Sequence, residues 1–538
     1  MLYNRLRRII AMSRWLHIGD ILRVNATLYP DKEGVADLYR SLTFKQWNER
    51  CNRLANGLLD RGLKKGDRVA ILAYNCLEWM EIYGAFAKAG LVAVPIMFRL
   101  TPNEYSFIVN NSQCAAFIAE KPFVKDLDEA KDDLETIPVD RYFFFGDKDA
   151  PQGYTHLEDV FAAGAPSEPP VAVSHEDTWV IMYTSGTTGR PKGVVRSHES
   201  LVAQYLTNLT ALGFDRDDRG LSVMPMCHIN SVFYSFVFTY AGGTALVYNS
   251  VSFDPEHMIK TLSEMRVTFT SLVPTHYIMM LSLPEEVKAK YDVDCVKKLM
   301  ISSAPARRDT KLDIMGYFKN SQLYEAYGST EAGLVTLLQP HEQFDKLGSI
   351  GREIAGTDVI KLLDEDGNEV GDNQVGELYS RTPMVFSEYW KNPEQTKAAF
   401  VGQHFSAGDM AYRDEQGYYY LVDRKKNMII TGGENVYPSE VENCIGGHQA
   451  VKDVAVIGVP DAKWGECVTA VVILHQGIEP SPALAQEIQE YTKGKIAGFK
   501  RPKVLEFIAD ADMPRTGTGK ILHRVLRERY GHWAEQKK

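Results

Sequence analysis

Between Phe44 and about Ser250 the apolar residues switch repeatedly between two spacings, and this alternation narrows the fold more than any other feature of the chain. Trp47, Cys51, Leu54, Ala55 and Leu58 recur at helical spacing within Trp47–Gly62. Arg68–Ala73 is a short apolar run that reads as a buried strand. Trp79–Ala89 is helical again, and Leu91–Met97 is a second strand-like run. Strands that alternate with helices build a mainly parallel sheet covered by those helices. From about Val359 the texture changes to short strands joined by turns, with Asp364-Glu365-Asp366-Gly367 and Asp414-Glu415-Gln416-Gly417 predicting hairpins. The charged run Asp423-Arg424-Lys425-Lys426-Asn427 marks a break. After it come a helix from Pro438-Ser439-Glu440, a strand at Val454–Gly458 and a helix over Leu484–Ala497.

The expected fold is therefore α/β. A large N-terminal domain of parallel-rich βα layers with a β-rich subdomain occupies residues 1–425, and a small, mobile α+β domain occupies 426–538. A chain of 538 residues is too long for one core, which agrees with this division. The formal net charge of -10 argues against a nucleic-acid partner, since phosphate-tracking proteins carry a basic excess. Seven scattered cysteines, none in CxxC spacing, fit a reducing compartment such as the cytoplasm and exclude a disulfide scaffold. The N-terminus Met1–Ile10 is basic and apolar without the long core of a secretory signal, and predicts a docked amphipathic helix. Ile229–Tyr248 is interrupted by Asn230 and Gly242-Gly243, so it predicts a buried helix and then a strand, not an integral membrane segment.

Trp179–Tyr183 leads into Thr184-Ser185-Gly186-Thr187-Thr188-Gly189-Arg190-Pro191-Lys192-Gly193. These ten residues hold four hydroxyls, three glycines and two cations. Glycines let backbone amides crowd an anion, hydroxyls donate to phosphate oxygens, and cations offset the charge. The loop is not a Walker A motif, because Pro191 precedes Lys192 and Val194-Val195 predicts a strand where that motif opens a helix.

This loop resembles the phosphate-binding loop of the adenylate-forming superfamily, which contains acyl-CoA synthetases. Further segments resemble the family's other motifs in the same order. In Tyr324–Gly333 the resemblance implies that Tyr327 and Gly328 meet adenine, Thr330 touches the α-phosphate, and Glu331, with Thr184, holds Mg2+. Ser302-Ser303-Ala304-Pro305 stands where the family has Gly-Gly-Ala-Pro, the adenine wall. Asp409, preceded by Ala407 in place of the usual Thr, and Arg424 stand at the ribose contacts. Lys520, in Met513–Lys520, stands where a lysine reaches the carboxylate and α-phosphate. Lys426 matches the hinge, and Gly432-Gly433 the loop lining a coenzyme A tunnel after the small domain rotates. His228 resembles the gate between acyl pocket and tunnel.

The implied activity is ATP-dependent acyl-CoA synthesis by a monomer or homodimer, with ATP, Mg2+ and coenzyme A as cofactors. The resemblance leaves open an adenylating enzyme that is luciferase-like or loads a carrier protein, and composition alone leaves open a nucleotide-binding regulator. Gly498–Pro502 reads equally as a place for coenzyme A phosphates and as a solvated basic loop. The acid is not specified: Asn230, Ser231, Tyr234 and His276 mix polar groups with Phe233, Phe236 and Met279.

Overall fold

The computed structural model describes residues 16–184, 191–302, 306–432, 434–461, 463–516 and 519–531. The N-terminal stretch Met1–Ile10 lies outside them. Thr43 opens the first long helix with a reciprocal cap: its hydroxyl accepts from Gln46 N at 3.2 Å, and Gln46 Oε1 accepts from Thr43 N at 2.9 Å. The helix Phe44–Asp60 then buries Trp47, Cys51, Leu54, Ala55 and Leu58, the stripe that the sequence predicts. Strand Arg68–Leu72, helix Glu78–Ala89 and strand Val92–Pro95 follow, each within two residues of expectation.

The chain forms two compact units. One runs up to Ile360 and takes back Ser380–Phe405; the other holds Lys361–Tyr379 and the chain from Ser406 onward. Two large sheets build the first unit. Among the described residues one has eight strands, with Arg68–Leu72 central and parallel to both Val92–Pro95 and Cys114–Glu120. Its parallel run ends at Thr178–Thr184, which pairs antiparallel with Lys192–Ser197, and that strand pairs antiparallel with Glu388–Tyr389. The other sheet has nine described strands and is parallel from Glu33–Ala36 through Thr244–Val247, Arg219–Ser222, Phe269–Leu272 and Lys298–Ile301 to Gln322–Ser329. It too ends on an antiparallel partner, Gly333–Leu338. Each parallel sheet thus finishes in a hairpin whose tip lies beyond the carboxyl end of the last parallel strand. Ligands gather at such ends in open α/β sheets.

The apolar stretch after His228 folds as two short helices, Ile229–Ser235 and Val237–Ala241, where one was expected, and then the expected strand at Thr244–Val247. No helix among the described residues is long and apolar enough to cross a membrane.

In the second unit Asp409–Arg413 and Tyr419–Arg424 form the hairpin predicted at Asp414–Gly417, with Arg413 opposite Tyr419. The turn at Asp364–Gly367 returns only through an isolated bridge between Leu363 and Glu369, and Lys361–Leu363 finds its partner in Gly376–Tyr379. The predicted strand Val454–Gly458 is the middle of a longer one, Val451–Asp461, paired antiparallel along its length with Gly465–Leu474. The predicted helix Leu484–Ala497 is Pro482–Tyr491; Gly494, at φ 75°, turns the chain into a Lys493–Ile496 bridge instead. All seven cysteines are free: Cys51, Cys76, Cys114, Cys227 and Cys467 are buried, and Cys295 and Cys444 are half-buried.

Candidate active site

The hairpin of the eight-stranded sheet fixes both ends of the phosphate loop, because Thr184 lies directly opposite Lys192 in the ladder. The loop residues Ser185, Gly186, Thr187, Thr188 and Gly189 lie outside the described residues. The Lys192 ammonium sits 4.7 Å from the centroid of the Tyr389 ring, and the Tyr389 hydroxyl donates to Glu331 Oε1 at 2.9 Å. Desolvation holds the Lys192 pKa below the usual lysine value, and Glu331 pulls it back up. Tyr389 reaches this place because Glu388–Tyr389 pairs with Val195 and Val194.

Glu331 comes from the hairpin of the other sheet. Gly328 stands at a bulge there, and a Cβ on it would lie 2.3 Å from Gly333 O, so only glycine fits. Ser329 Oγ accepts from Ala332 N at 3.0 Å. Thr330 is buried, and its carbonyl accepts from Arg196 Nη1 at 2.7 Å. Phe386 N donates to the Glu331 carbonyl at 2.6 Å. Arg196 is wholly buried on the strand that leaves the phosphate loop; desolvation pushes its pKa down to about 10, against the pull of Tyr205 and Glu331. Its guanidinium thus ties one motif to the backbone of the other. Neither Arg196 nor Tyr389 falls inside a recognisable motif; strand pairing brings them in.

Ser302 follows the strand Lys298–Ile301, and its Oγ accepts from Asn230 Nδ2 at 2.7 Å. Asn230 Nδ2 also reaches Ser271 Oγ at 3.2 Å, and the two serine oxygens are 3.1 Å apart. His228, the expected gate, caps the helix that carries Asn230, with Nδ1 accepting from Asn230 N at 3.3 Å. Ser303, Ala304 and Pro305 lie outside the described residues, but Ala306 beyond them donates its N–H to the Glu325 carboxylate. That carboxylate is 2.5 Å from Lys311 Nζ, a charge-to-charge contact between two buried groups. Burial raises the Glu325 pKa, opposed by Lys311 and then by Ala306. His276 stacks on Phe253 with centroids 4.1 Å apart, and burial pushes its pKa down to about 4, so the ring is neutral.

In the second unit Asp409 and Arg424 are ladder partners, with Arg424 Nε 2.5 Å from Asp409 Oδ1. Lys520 presents an exposed side chain, yet its pKa lies below the usual lysine value, through desolvation first and the like charge of Arg424 second, with Asp409 opposing. Lys426 is the middle residue of the short turn Lys425–Asn427. Gly432 has φ 62° and donates its N–H to Trp464 O at 2.7 Å, and a Cβ there would lie 3.0 Å from the indole ring. Gly433 lies outside the described residues. Lys503 and Lys463 stand 3.7 Å and 4.8 Å from the centroid of that partly exposed indole. In Gly498–Pro502 the cations are engaged within the unit, Lys500 with Glu440 at 2.7 Å and Arg501 with Glu490 at 3.2 Å.

Residues 22–390 match the family model of the AMP-binding enzyme, and residues 440–520 that of the AMP-binding enzyme C-terminal domain. The long-chain-fatty-acid–CoA ligase FadD13 of Mycobacterium tuberculosis is 35% identical to this chain, covering 96% of it and 98% of the relative. The feruloyl-CoA synthase of an Amycolatopsis species is 34% identical, covering 94% and 97% respectively. Among solved structures, an anthranilate CoA ligase in complex with anthranoyl-AMP superposes with a TM-score of 0.86 at 25% identity, over 97% of this chain and 98% of that one. Two sheets that each end in a signature hairpin, full-length relatives named as CoA ligases and matching folds agree: the chain belongs to the AMP-binding enzyme family and is an acid–thiol ligase of the acyl-CoA synthetase type.

Proposed function

We propose that the two signature hairpins hold MgATP, and that the acid takes its place beside His228. The observation that carries this reading is the chain Lys192–Tyr389–Glu331, which joins a cation from one sheet to a carboxylate from the other. A carboxylate and an ATP α-phosphate repel one another, so fixed donors and a cation must offset their charge before they meet. Lys192 and the loop Ser185–Gly189 take the β- and γ-phosphates. Thr330 takes the α-phosphate, Tyr327, Gly328 and Ser303-Ala304-Pro305 flank adenine, and Asp409 with Arg424 takes the ribose. Lys520 neutralises the attacking carboxylate. Its oxygen bonds to the α-phosphorus, and pyrophosphate leaves.

Glu331 and the Thr184 hydroxyl would hold Mg2+. One carboxylate and one hydroxyl, completed by phosphate oxygens and water, is the usual donor set for this ion. When bound, the ion supplies positive charge to the phosphates.

In the second step the thiol of coenzyme A attacks the acyl carbonyl, loses its proton, and AMP leaves. The small domain from Lys426 onward turns about that residue and replaces Lys520 with the Gly432-Gly433 loop. The exposed Trp464, flanked by Lys463 and Lys503 beside Gly432, offers an aromatic face and two cations to the nucleotide end of coenzyme A. The enzyme would work in the cytoplasm as a monomer or homodimer.

The acid we infer is compact and aromatic or hydroxylated. Asn230, Ser271 and Ser302 place a buried polar knot beside the gate residue, where a long alkyl chain would find no match. The test is a coupled assay with ATP, free coenzyme A and an acid panel running from ferulate and indoleacetate to palmitate. The expected result is thioester formation fastest with the aromatic acids. Fastest turnover of palmitate would overturn the acid assignment, and pyrophosphate release without any thioester would favour a carrier-loading enzyme.

A further inference from the structure

The helix His198–Leu212 follows the strand that leaves the phosphate loop, and it carries Ser200, Gln204 and Asn208 one turn apart along one face. All three are buried, Gln204 and Asn208 completely. A buried amide is costly unless its polar ends are hydrogen-bonded, and both amides are engaged at both ends. Leu334 N donates to Gln204 Oε1 at 2.9 Å, Gln204 Nε2 donates to Asn208 Oδ1 at 2.9 Å, and Asn208 Nδ2 donates to Phe233 O at 3.1 Å. A backbone N–H at one end and a backbone carbonyl at the other leave one orientation for each amide, so the chain of donors runs in a single direction.

Its two ends reach different parts of the site. Leu334 stands opposite Gly328 in the hairpin that carries Thr330 and Glu331. Phe233 lies on the helix Ile229–Ser235, which His228 caps and which carries Asn230. The helix His198–Leu212 grips each of these elements a second time. Ser200 Oγ accepts from Arg196 Nε at 3.1 Å while Arg196 Nη1 holds Thr330 O at 2.7 Å, and the Tyr205 hydroxyl donates to Val232 O at 2.9 Å. One helix face thus sets the spacing between the nucleotide hairpin and the gate helix. A fully satisfied buried network of this kind holds its members to one arrangement, which apolar packing does less sharply.

We propose that Gln204 and Asn208 are positioning residues for the adenylating step: their amide chain keeps the acid seat beside His228 in register with the α-phosphate seat at Thr330. This inference rests on the placement of acid and MgATP given above. Bonding a carboxylate oxygen to phosphorus requires both reactants close and in line, and a misplacement of about 1 Å costs about 10² in rate even when both still bind. Once the acyl-adenylate exists, a covalent bond fixes that spacing. Thioester formation then no longer depends on the register of the two seats.

The experiment follows both half-reactions by single turnover on the full-length enzyme, using ferulate, or the acid of the panel that is turned over fastest, and the matching acyl-adenylate. Gln204→Met keeps the side chain's length and loses both hydrogen bonds. It is expected to slow acyl-adenylate formation by about tenfold or more, while MgATP binding and thioester formation from supplied acyl-adenylate and coenzyme A stay close to those of the unsubstituted enzyme. Asn208→Leu breaks the chain at its other end without touching the nucleotide hairpin, and should give the same split. The double variant should be no slower than the slower single one, because either loss interrupts the same chain. A purely structural role would lower both half-reactions together. Equal loss in both half-reactions, unchanged adenylation in both variants, or failure of both to fold overturns the registration role and leaves the ligase reading intact. If the unsubstituted chain forms no adenylate from any acid of the panel, the ligase reading falls and the registration role falls with it.

Discussion

Tyr389 shows what a single hydroxyl does in this site. Its ring lies beside the Lys192 ammonium while its O–H donates to Glu331, so it keeps the cation and the carboxylate from collapsing onto each other. Tyr389→Phe keeps the ring and removes the donor. The expected outcome is a rise of several-fold in the KM for MgATP and a higher magnesium requirement, with an unchanged melting temperature; an unaltered magnesium titration would contradict it. Lys192 was legible in the sequence because hydroxyls, glycines and cations packed into one loop have few uses besides phosphate binding, whereas Glu331 was named only through the resemblance carried by Tyr324–Gly333. Tyr389 and Arg196 were not, because their roles arise from pairing with distant strands. Asp409 and Arg424 are an intermediate case. The sequence named both through resemblance, but only the ladder shows that they face each other across one hairpin.

At the scale of elements, the two hairpins that end the parallel sheets carry the argument. Apolar spacing identified the strand leading into the first, Trp179–Tyr183, but not Gln322–Ser329, which leads into the second, and it could not show that either last pair is antiparallel, since pairing direction leaves no mark on apolar spacing. The same blindness hid the antiparallel partner of Val451–Asp461. Local chemistry was also overruled at Leu484–Ala497, where apolar spacing continued past Gly494 but a left-handed backbone ended the helical path. Gly328 offers a test of how tightly one hairpin is built. A methyl group there meets Gly333 O in the facing strand, a backbone atom that can yield only if the hairpin shifts. Gly328→Ala should cost about 1–3 kcal/mol of stability, the usual range for overpacking, and should lower acyl-adenylate formation more than it lowers the melting temperature would suggest. A fully active variant of normal stability would show that the bulge tolerates the change.

At the scale of the whole molecule, stability should depend on pH through histidines that are buried neutral. His198 is fully buried, with neither ring nitrogen hydrogen-bonded, beside Trp179 and His17. Desolvation holds its pKa well below the ordinary value, with His17 and Lys65 adding like charge. The unfolded chain therefore takes up this proton first as pH falls. The contribution is complete above about pH 6.5 and is lost below it, by up to about 1.4 kcal/mol per pH unit for one proton; His276 adds a loss of the same sign between about pH 6.5 and 4. Denaturant titrations from pH 8 to 5 should show this acid slope, and His198→Leu should flatten it; an equal slope in the variant would place the proton uptake elsewhere. The burial of the cysteines has a different consequence. An acyl-adenylate is an electrophile open to any thiolate, and the intended acceptor is itself a thiol. Burial raises the pKa of all seven cysteines, including half-buried Cys295 and Cys444. The protein thereby keeps its own sulfur protonated and out of competition, and chemoselectivity for the external nucleophile is secured by where the core was drawn.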